Sequence, residues 1–138
     1  MIENQSDTAA RIAQALGTGA HIAPLTWAED GTALDRAYAI ADDVRQRPGS
    51  PRAGVKVGFT NRNIWPIYGV DRPIWGAVPR AGVFAPGDPV PLAPFAEPRI
   101  EPEIVLGLAR APEPDMDGAA LAECIDWVAP GFEIVQSI

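Results

Sequence analysis

Proline and glycine crowd into the middle of this chain, and this crowding limits most strongly what the sequence can form. The 138 residues include 15 prolines and 13 glycines, and many of them lie between residues 48 and 98. Long helices and long uninterrupted strands are therefore excluded from this part. Aromatic and β-branched residues are interleaved with the prolines and glycines, which favours short strands and tight turns over a disordered linker.

The first third of the chain has the periodicity of two helices. Segment 7–16 places apolar residues on one stripe at helical spacing, with Ser6 or Asp7 as a candidate N-cap and Gly17 near its end. Segment 32–47 returns to the same period before a proline and a glycine break it. The residues between the two, 21–31, contain a proline and a glycine and are predicted to form a loop.

Three later segments favour strands, and one favours a short helix. The strand candidates are "AGVKVGFT" (53–60), "RIEPEIVLGLA" (99–109) and "DWVAPGFEIVQSI" (126–138), and the helix candidate is "MDGAALAECI" (116–125). The sequence therefore predicts an α+β protein in which two N-terminal helices precede a mixed β-sheet interrupted by proline and glycine. We expect a helical region at 1–50 and a β region at 51–138 of a single domain.

Composition excludes several classes of partner. The formal net charge is -7, and lysine and arginine do not cluster, so neither nucleic acid nor an anionic membrane is an expected partner. No stretch is long and apolar enough to predict a spanning helix, and no signal-peptide pattern is recognisable at the N-terminus. The single cysteine, Cys124, cannot form an internal disulfide. Together these features predict a cytoplasmic protein.

Three glutamates lie in apolar strand candidates, where a charged carboxylate is unfavourable unless it is paired or bound to a cation. Glu101 and Glu103 are one residue apart in a strand candidate, so their side chains share one face. Glu133 lies between Phe132 and Ile134, where an unpaired charge is costly. Taken alone, a Glu-x-Glu pair is more often a solvated sheet face, and a lone glutamate is as often a salt-bridge residue as a ligand. All three together suggest a site for Mg²⁺ or Mn²⁺, with Ca²⁺ less favoured and Zn²⁺ disfavoured because no histidine or cysteine joins them.

Other candidate residues each have an ordinary structural explanation. Lys56 lies between two valines, where it is either a lysine at a strand edge or a group with a pKa lowered by loss of solvent. Trp65 and Trp75 either pack a proline-rich surface or form an apolar lid. Trp127 is expected in the core. Cys124 is expected to be a small buried residue, and the only histidine, His21, an exposed loop residue.

Five separated segments together resemble one family. They are "AYAI", "GVKVGFTN", "YGVDRPIWGAV", "RIEPEIVLGL" and "CIDWVAPGFEIVQS", and in this order they are similar to the N-terminal half of the 2-keto-4-pentenoate hydratase branch of the fumarylacetoacetate hydrolase superfamily. The resemblance implies part of a β-roll fold. It places the metal ligands on Glu101, Glu103 and Glu133, an acid/base or substrate-binding role on Lys56, and an aspartate near the pocket on Asp71.

The resemblance also implies a reaction. A hydratase of this branch uses Mg²⁺ or Mn²⁺ to add water to a 2-hydroxydienoate, giving a 4-hydroxy-2-oxo acid in the catabolism of aromatic compounds. A decarboxylase of the 4-oxalocrotonate type remains an alternative, whereas a hydrolase is less favoured because it would need a histidine and glutamate pair. Family members are about twice as long, so the chain is expected to be either a fragment or a half-length variant. The latter could be a non-catalytic half-domain, paired with a copy of itself or with a family partner subunit.

Overall fold

A computed structural model describes residues 4–25, 32–47 and 49–138 of the chain. The elements of these residues are α1 (Gln5–Thr18), α2 (Ala33–Gln46), β1 (Arg52–Gly58), α3 (Trp65–Tyr68), β2 (Ile74–Pro79), β3 (Arg99–Leu108), α4 (Gly118–Ala122) and β4 (Ile125–Val135), with 3-10 turns at Arg62–Ile64 and Arg80–Gly82. The α+β class is confirmed, as are both N-terminal helices, the three predicted strands and the short helix. In the predicted loop at 21–31, residues 21–25 have no regular secondary structure, and the rest lies outside the described residues.

Helix α1 is longer at both ends than the apolar stripe predicted. Its N-cap is Asn4, whose side chain accepts a hydrogen bond from the backbone N–H of Asp7 at 3.0 Å, so the prediction of Ser6 or Asp7 as the cap was wrong. Its C-cap is Gly19, with φ at 65°, rather than Gly17. A left-handed C-cap favours glycine because a Cβ is strained there. The caps, rather than the apolar stripe, therefore determine where this helix ends.

The two long helices pack together through small side chains. The buried residues of these two helices are Thr8, Ala9, Ala15 and Ile40, and the three on α1 are small. Polar contacts tie the same helices together, since Arg47 donates to the backbone oxygen of Ser6 at 2.9 Å. Small residues let the helix backbones approach closely, so α1 and α2 form one compact layer.

Strands β1 and β2 form an antiparallel pair. In its register Lys56 lies opposite Gly76 and Val57 lies opposite Trp75. The ring of Tyr38, on α2, stacks on Trp75 with centroids 5.1 Å apart, and its hydroxyl accepts from the Trp75 backbone N–H at 3.2 Å. Helix α2 is thereby held against the face of the hairpin opposite to Lys56.

Strands β3 and β4 form a second antiparallel pair, a long two-stranded ribbon. The segment that joins them contains α4, whose N-cap Asp117 accepts from the backbone N–H of Ala120 at 2.9 Å. Cys124 is fully buried just before β4, as predicted, and its backbone oxygen accepts from the N–H of Ala109. One face of the ribbon is apolar and open, with Ile104 77% and Phe132 73% exposed.

The predicted mixed sheet is not what the described residues form. They form two separate two-stranded pairs, both antiparallel. The apolar pattern of a strand reports which face is buried but not the direction of its neighbour, so pairing direction could not be read from it. The contacts also divide the chain into two units. One contains α1, α2 and the β1–β2 pair, and the other, Glu97–Ser137, contains β3, α4 and β4.

Within the described ranges, no helix combines the length and the apolar character needed to cross a bilayer. The division of the chain into regions 1–50 and 51–138 stays a prediction.

Candidate functional site

The register of the β3–β4 ribbon brings the three predicted glutamates together. Glu101 lies directly opposite Glu133, and Glu103 is two residues further along β3 on the same face. Each residue offers a carboxylate oxygen, and these oxygens all lie within 4.8 Å of one another. The cluster is built entirely from two paired strands, so its geometry depends on one register.

The charge of this cluster favours a cation. Glu101 is exposed, and Glu103 and Glu133 are half-buried. Two carboxylate charges no more than 4.8 Å apart repel each other by at least about 1 kcal/mol, even with the dielectric constant of water. Three oxygens within 4.8 Å of one another leave a point at most about 2.8 Å from each, compared with about 2.0–2.1 Å for Mg²⁺ ligands and 2.3–2.6 Å for Ca²⁺ ligands. Small side-chain rotations would close this difference, so the donor set fits a divalent cation that prefers oxygen.

A glycine and a valine border the cluster, and the sequence did not reveal them. Gly131 lies opposite Glu103 and therefore adds no side chain beside the carboxylates. A Cβ at this position would lie 2.6 Å from Cγ2 of Val105, so the valine side chain occupies the space over the glycine. Both residues can be identified only once the strand register is known, because the register places them on the same face as the glutamates.

Lys56 belongs to the other unit, on β1. It is half-buried and shares a face with Gly54 and Gly58, while Val55 and Val57 lie on the opposite face of the strand. These valines are 50% and 49% exposed, so they do not enclose the lysine as their adjacency in sequence suggested. The role of Lys56 stays a prediction.

Asp71 lies in an exposed turn of the same unit and forms an ion pair with its neighbour. Its two carboxylate oxygens accept from Nε and Nη2 of Arg72 at 2.7 and 2.9 Å. The Arg72 guanidinium holds the pKa of Asp71 below its ordinary value, and Asp71 in turn raises the pKa of Arg72. Asp71 is therefore ionised at neutral pH and can accept a hydrogen bond or a proton but cannot supply one.

The tryptophans differ from one another in their surroundings. Trp75 stacks on Tyr38, and the indole N–H of Trp65 donates to the backbone oxygen of Phe59 at 2.8 Å. Trp127 was expected in the core, but this was wrong, because it is 51% exposed. Its indole lies flat over Gly107, where a Cβ would come within 2.0 Å of the ring. The indole thus occupies the space that a side chain at position 107 would fill.

The only histidine and the only cysteine behave as the sequence predicted. His21 is exposed in a segment without regular secondary structure. The Cys124 thiol is buried, 3.5 Å from the backbone oxygen of Ala120 and 3.8 Å from the sulfur of Met116. Neither residue lies in a setting that would activate it as a nucleophile.

Known proteins are similar to this chain in sequence and in fold. A 2-keto-4-pentenoate hydratase of Burkholderia vietnamiensis is 37% identical over 105 residues, covering 74% of this chain and 40% of that protein. A 2-keto-4-pentenoate hydratase of Paraburkholderia xenovorans is 31% identical over 143 residues, covering 98% and 52%. The solved 4-oxalocrotonate decarboxylase of Pseudomonas putida G7, complexed with calcium and acetate, superposes with a TM-score of 0.84 at 25% identity over 96% of this chain and 52% of that one. Its complex with magnesium and adipate gives a TM-score of 0.82.

The resemblance to the 2-keto-4-pentenoate hydratase branch is confirmed. No family model matches the chain. The chain spans about half the length of the curated hydratases it matches. The solved decarboxylase also extends well beyond the matched part, which fits an incomplete domain.

Proposed function

We propose that this chain carries the metal-binding part of a hydratase that adds water to a 2-hydroxydienoate and gives a 4-hydroxy-2-oxo acid. Such an enzyme is a carbon–oxygen lyase. The observation that carries the proposal is the cluster of Glu101, Glu103 and Glu133, whose oxygens lie within 4.8 Å of one another. Its support is that the hydratases of similar sequence are named for this reaction.

The three glutamates would hold the metal ion. An all-carboxylate donor set favours hard cations, so Mg²⁺ or Mn²⁺ is the proposed cofactor. The calcium and magnesium complexes of the similar decarboxylase support a divalent ion of this kind. When bound, the ion supplies positive charge that binds a 2-oxo acid and stabilises its enolate form.

The proposed proton transfers fall to Lys56. As the dienol becomes a ketone, a proton must reach the carbon skeleton, and when water adds, a proton must leave the attacking oxygen. The Nζ atom of Lys56 is proposed to donate the first proton and to accept the second, directly or through a water molecule, or to bind the substrate carboxylate. Asp71 is proposed to act beside the pocket as an ionised acceptor, because Arg72 keeps its pKa low.

A decarboxylase of the 4-oxalocrotonate type is the second candidate. The observation that favours it is the superposition on the solved decarboxylase, with a TM-score of 0.84. Both reactions use a metal ion and an enolate, so the carboxylate cluster serves either one. They differ in the bond that changes. The decarboxylase breaks the carbon–carbon bond to a carboxylate and releases CO₂, whereas the hydratase forms a carbon–oxygen bond.

The proposal includes an oligomer, formed either by copies of this chain or by this chain and a related subunit. The proposed location is the cytoplasm. Its support is the open apolar face of the ribbon, where Ile104 and Phe132 are about three-quarters exposed. Apolar surface of this kind is normally covered in a folded protein. Sedimentation of the purified chain gives the mass, and a monomer at micromolar concentration would contradict this part of the proposal.

The experiment that tests the function combines metal binding with turnover. The chain is titrated with Mn²⁺ with and without oxalate, a stable 2-oxo acid mimic, and then supplied with 2-hydroxypenta-2,4-dienoate while the absorbance of the diene is followed. A hydratase site binds Mn²⁺ more tightly with oxalate and consumes the diene without releasing CO₂. Release of CO₂ from 4-oxalocrotonate would favour the decarboxylase.

Variants then assign the site. The double substitution Glu101→Gln and Glu103→Gln should abolish both binding and turnover, whereas retention of both would refute the assignment of the glutamates. Binding of Mn²⁺ that oxalate does not strengthen, without turnover of either substrate, would mean a half-domain that is not catalytic by itself.

A further inference from the structure

The residue that follows strand β1 is held in an unfavourable backbone conformation. Phe59 has a φ of 55°, in the left-handed region that glycine adopts easily and that a bulky residue avoids. For an ordinary L-residue this conformation is disfavoured by roughly five- to thirtyfold. A glycine at position 59 would adopt this backbone conformation with less strain. The glycine of the sequence, Gly58, lies one position earlier.

Two aromatic side chains hold Phe59 in this conformation. The indole N–H of Trp65 donates to the Phe59 backbone oxygen at 2.8 Å, in a partly buried hydrogen bond. The ring of Tyr68 meets the Phe59 ring edge to face, with centroids 5.3 Å apart and planes at 72°. One contact fixes the peptide group and the other fixes the side chain, so together they select a single conformation of the turn.

Trp65 is itself held firmly. Its backbone oxygen accepts from the N–H of Val70 at 3.1 Å, and the Arg62 guanidinium lies 5.5 Å from the centroid of its ring. The indole is therefore presented to Phe59 by a compact turn of 3-10 and α-helical structure rather than by a free side chain. A rigid donor loses little entropy when it forms its hydrogen bond.

The contacts of Trp65 and Tyr68 with Phe59, here called the Phe59 clamp, lie at the end of the strand that carries Lys56. Lys56 lies on β1, three residues before Phe59, which directly follows the strand. A residue held in a strained conformation by its neighbours is typical of functional segments. We propose that Trp65 is a positioning residue: its hydrogen bond to Phe59 fixes the end of β1 and thereby the position of Lys56 during proton transfer. The inference rests on the proposed function of Lys56.

The test measures turnover of the dienoate by the full chain carrying Trp65→Phe, which keeps a ring and removes the N–H donor. Loss of one such hydrogen bond should lower kcat roughly two- to tenfold, with KM changed less than about twofold. Phe59→Gly should rescue the loss in the double variant, because glycine adopts the left-handed conformation without a clamp. If Trp65→Phe alone folds poorly, turnover by the double variant is compared with that of the unaltered chain instead.

Trp127→Phe is the matched control, because it makes the same change in a tryptophan of β4. Its effect and that of Phe59→Gly should be additive, without rescue. Turnover by Trp65→Phe equal to that of the unaltered chain, or a loss that Phe59→Gly does not repair, would overturn the positioning role alone. Absence of turnover in the unaltered chain would instead overturn the proposed function, and the positioning role with it.

Discussion

Replacing Glu103 by glutamine removes one negative charge from the carboxylate cluster while keeping the size of the side chain. At a ligand distance of about 2.2 Å, a dication and a carboxylate attract each other by about 4 kcal/mol even with the dielectric constant of water. The glutamine oxygen or a water molecule recovers part of this. A net loss of about 3 kcal/mol remains, which corresponds to a roughly hundredfold weaker Kd for Mn²⁺.

The assay is a titration of the chain with Mn²⁺, in which free Mn²⁺ is followed by its electron paramagnetic resonance signal. Glu123→Gln is the matched control, because Glu123 lies in the same unit, is 78% exposed and pairs only loosely with Arg110 at 3.7 Å. It makes the same change in net charge away from the cluster and should leave the Kd within about twofold. Equal losses in the two variants would show that net charge, rather than ligation, governs binding and would refute the reasoning.

Three further predictions concern single contacts. Arg72→Leu should raise the pKa of Asp71 toward its ordinary value, so a carboxyl NMR titration should show protonation at higher pH; an unchanged midpoint would contradict the ion pair. Asn4→Ala should lower the free energy of unfolding by about 1 kcal/mol through loss of the N-cap, measured by urea denaturation, and an unchanged midpoint would show that the cap contributes nothing. Gly107→Ala should destabilise by about 1–3 kcal/mol because its Cβ meets the indole of Trp127, and Trp127→Ala in the same chain should remove most of that cost.

The sequence predicted the elements of this protein well wherever local chemistry sets them. The strand around Glu101 and Glu103 and the helix over 33–46 were identified from their apolar periods. Ends were less accurate, since α1 begins after Asn4 rather than Ser6 or Asp7. Several polar residues in a row can each cap a helix, and the choice depends on which carbonyl and N–H groups the rest of the fold leaves unpaired.

The members of the candidate site were also predicted from the sequence, because a glutamate in an apolar strand is costly and needs a compensating partner. What the sequence could not provide is the register. Shifting β4 by one residue would turn Glu133 to the opposite face, and the cluster would be lost. The place of Gly131 beside Glu103 depends on the same register.

The sequence by itself therefore determined which segments are helices or strands, and it singled out the candidate site residues, since both depend on neighbours in the chain. The tertiary structure decided pairing, exposure and partners: two antiparallel pairs rather than a mixed sheet, Trp127 half exposed over Gly107, and Trp65 bonded to Phe59. These features join residues that lie apart in sequence, and their energies depend on distances that only the folded chain sets.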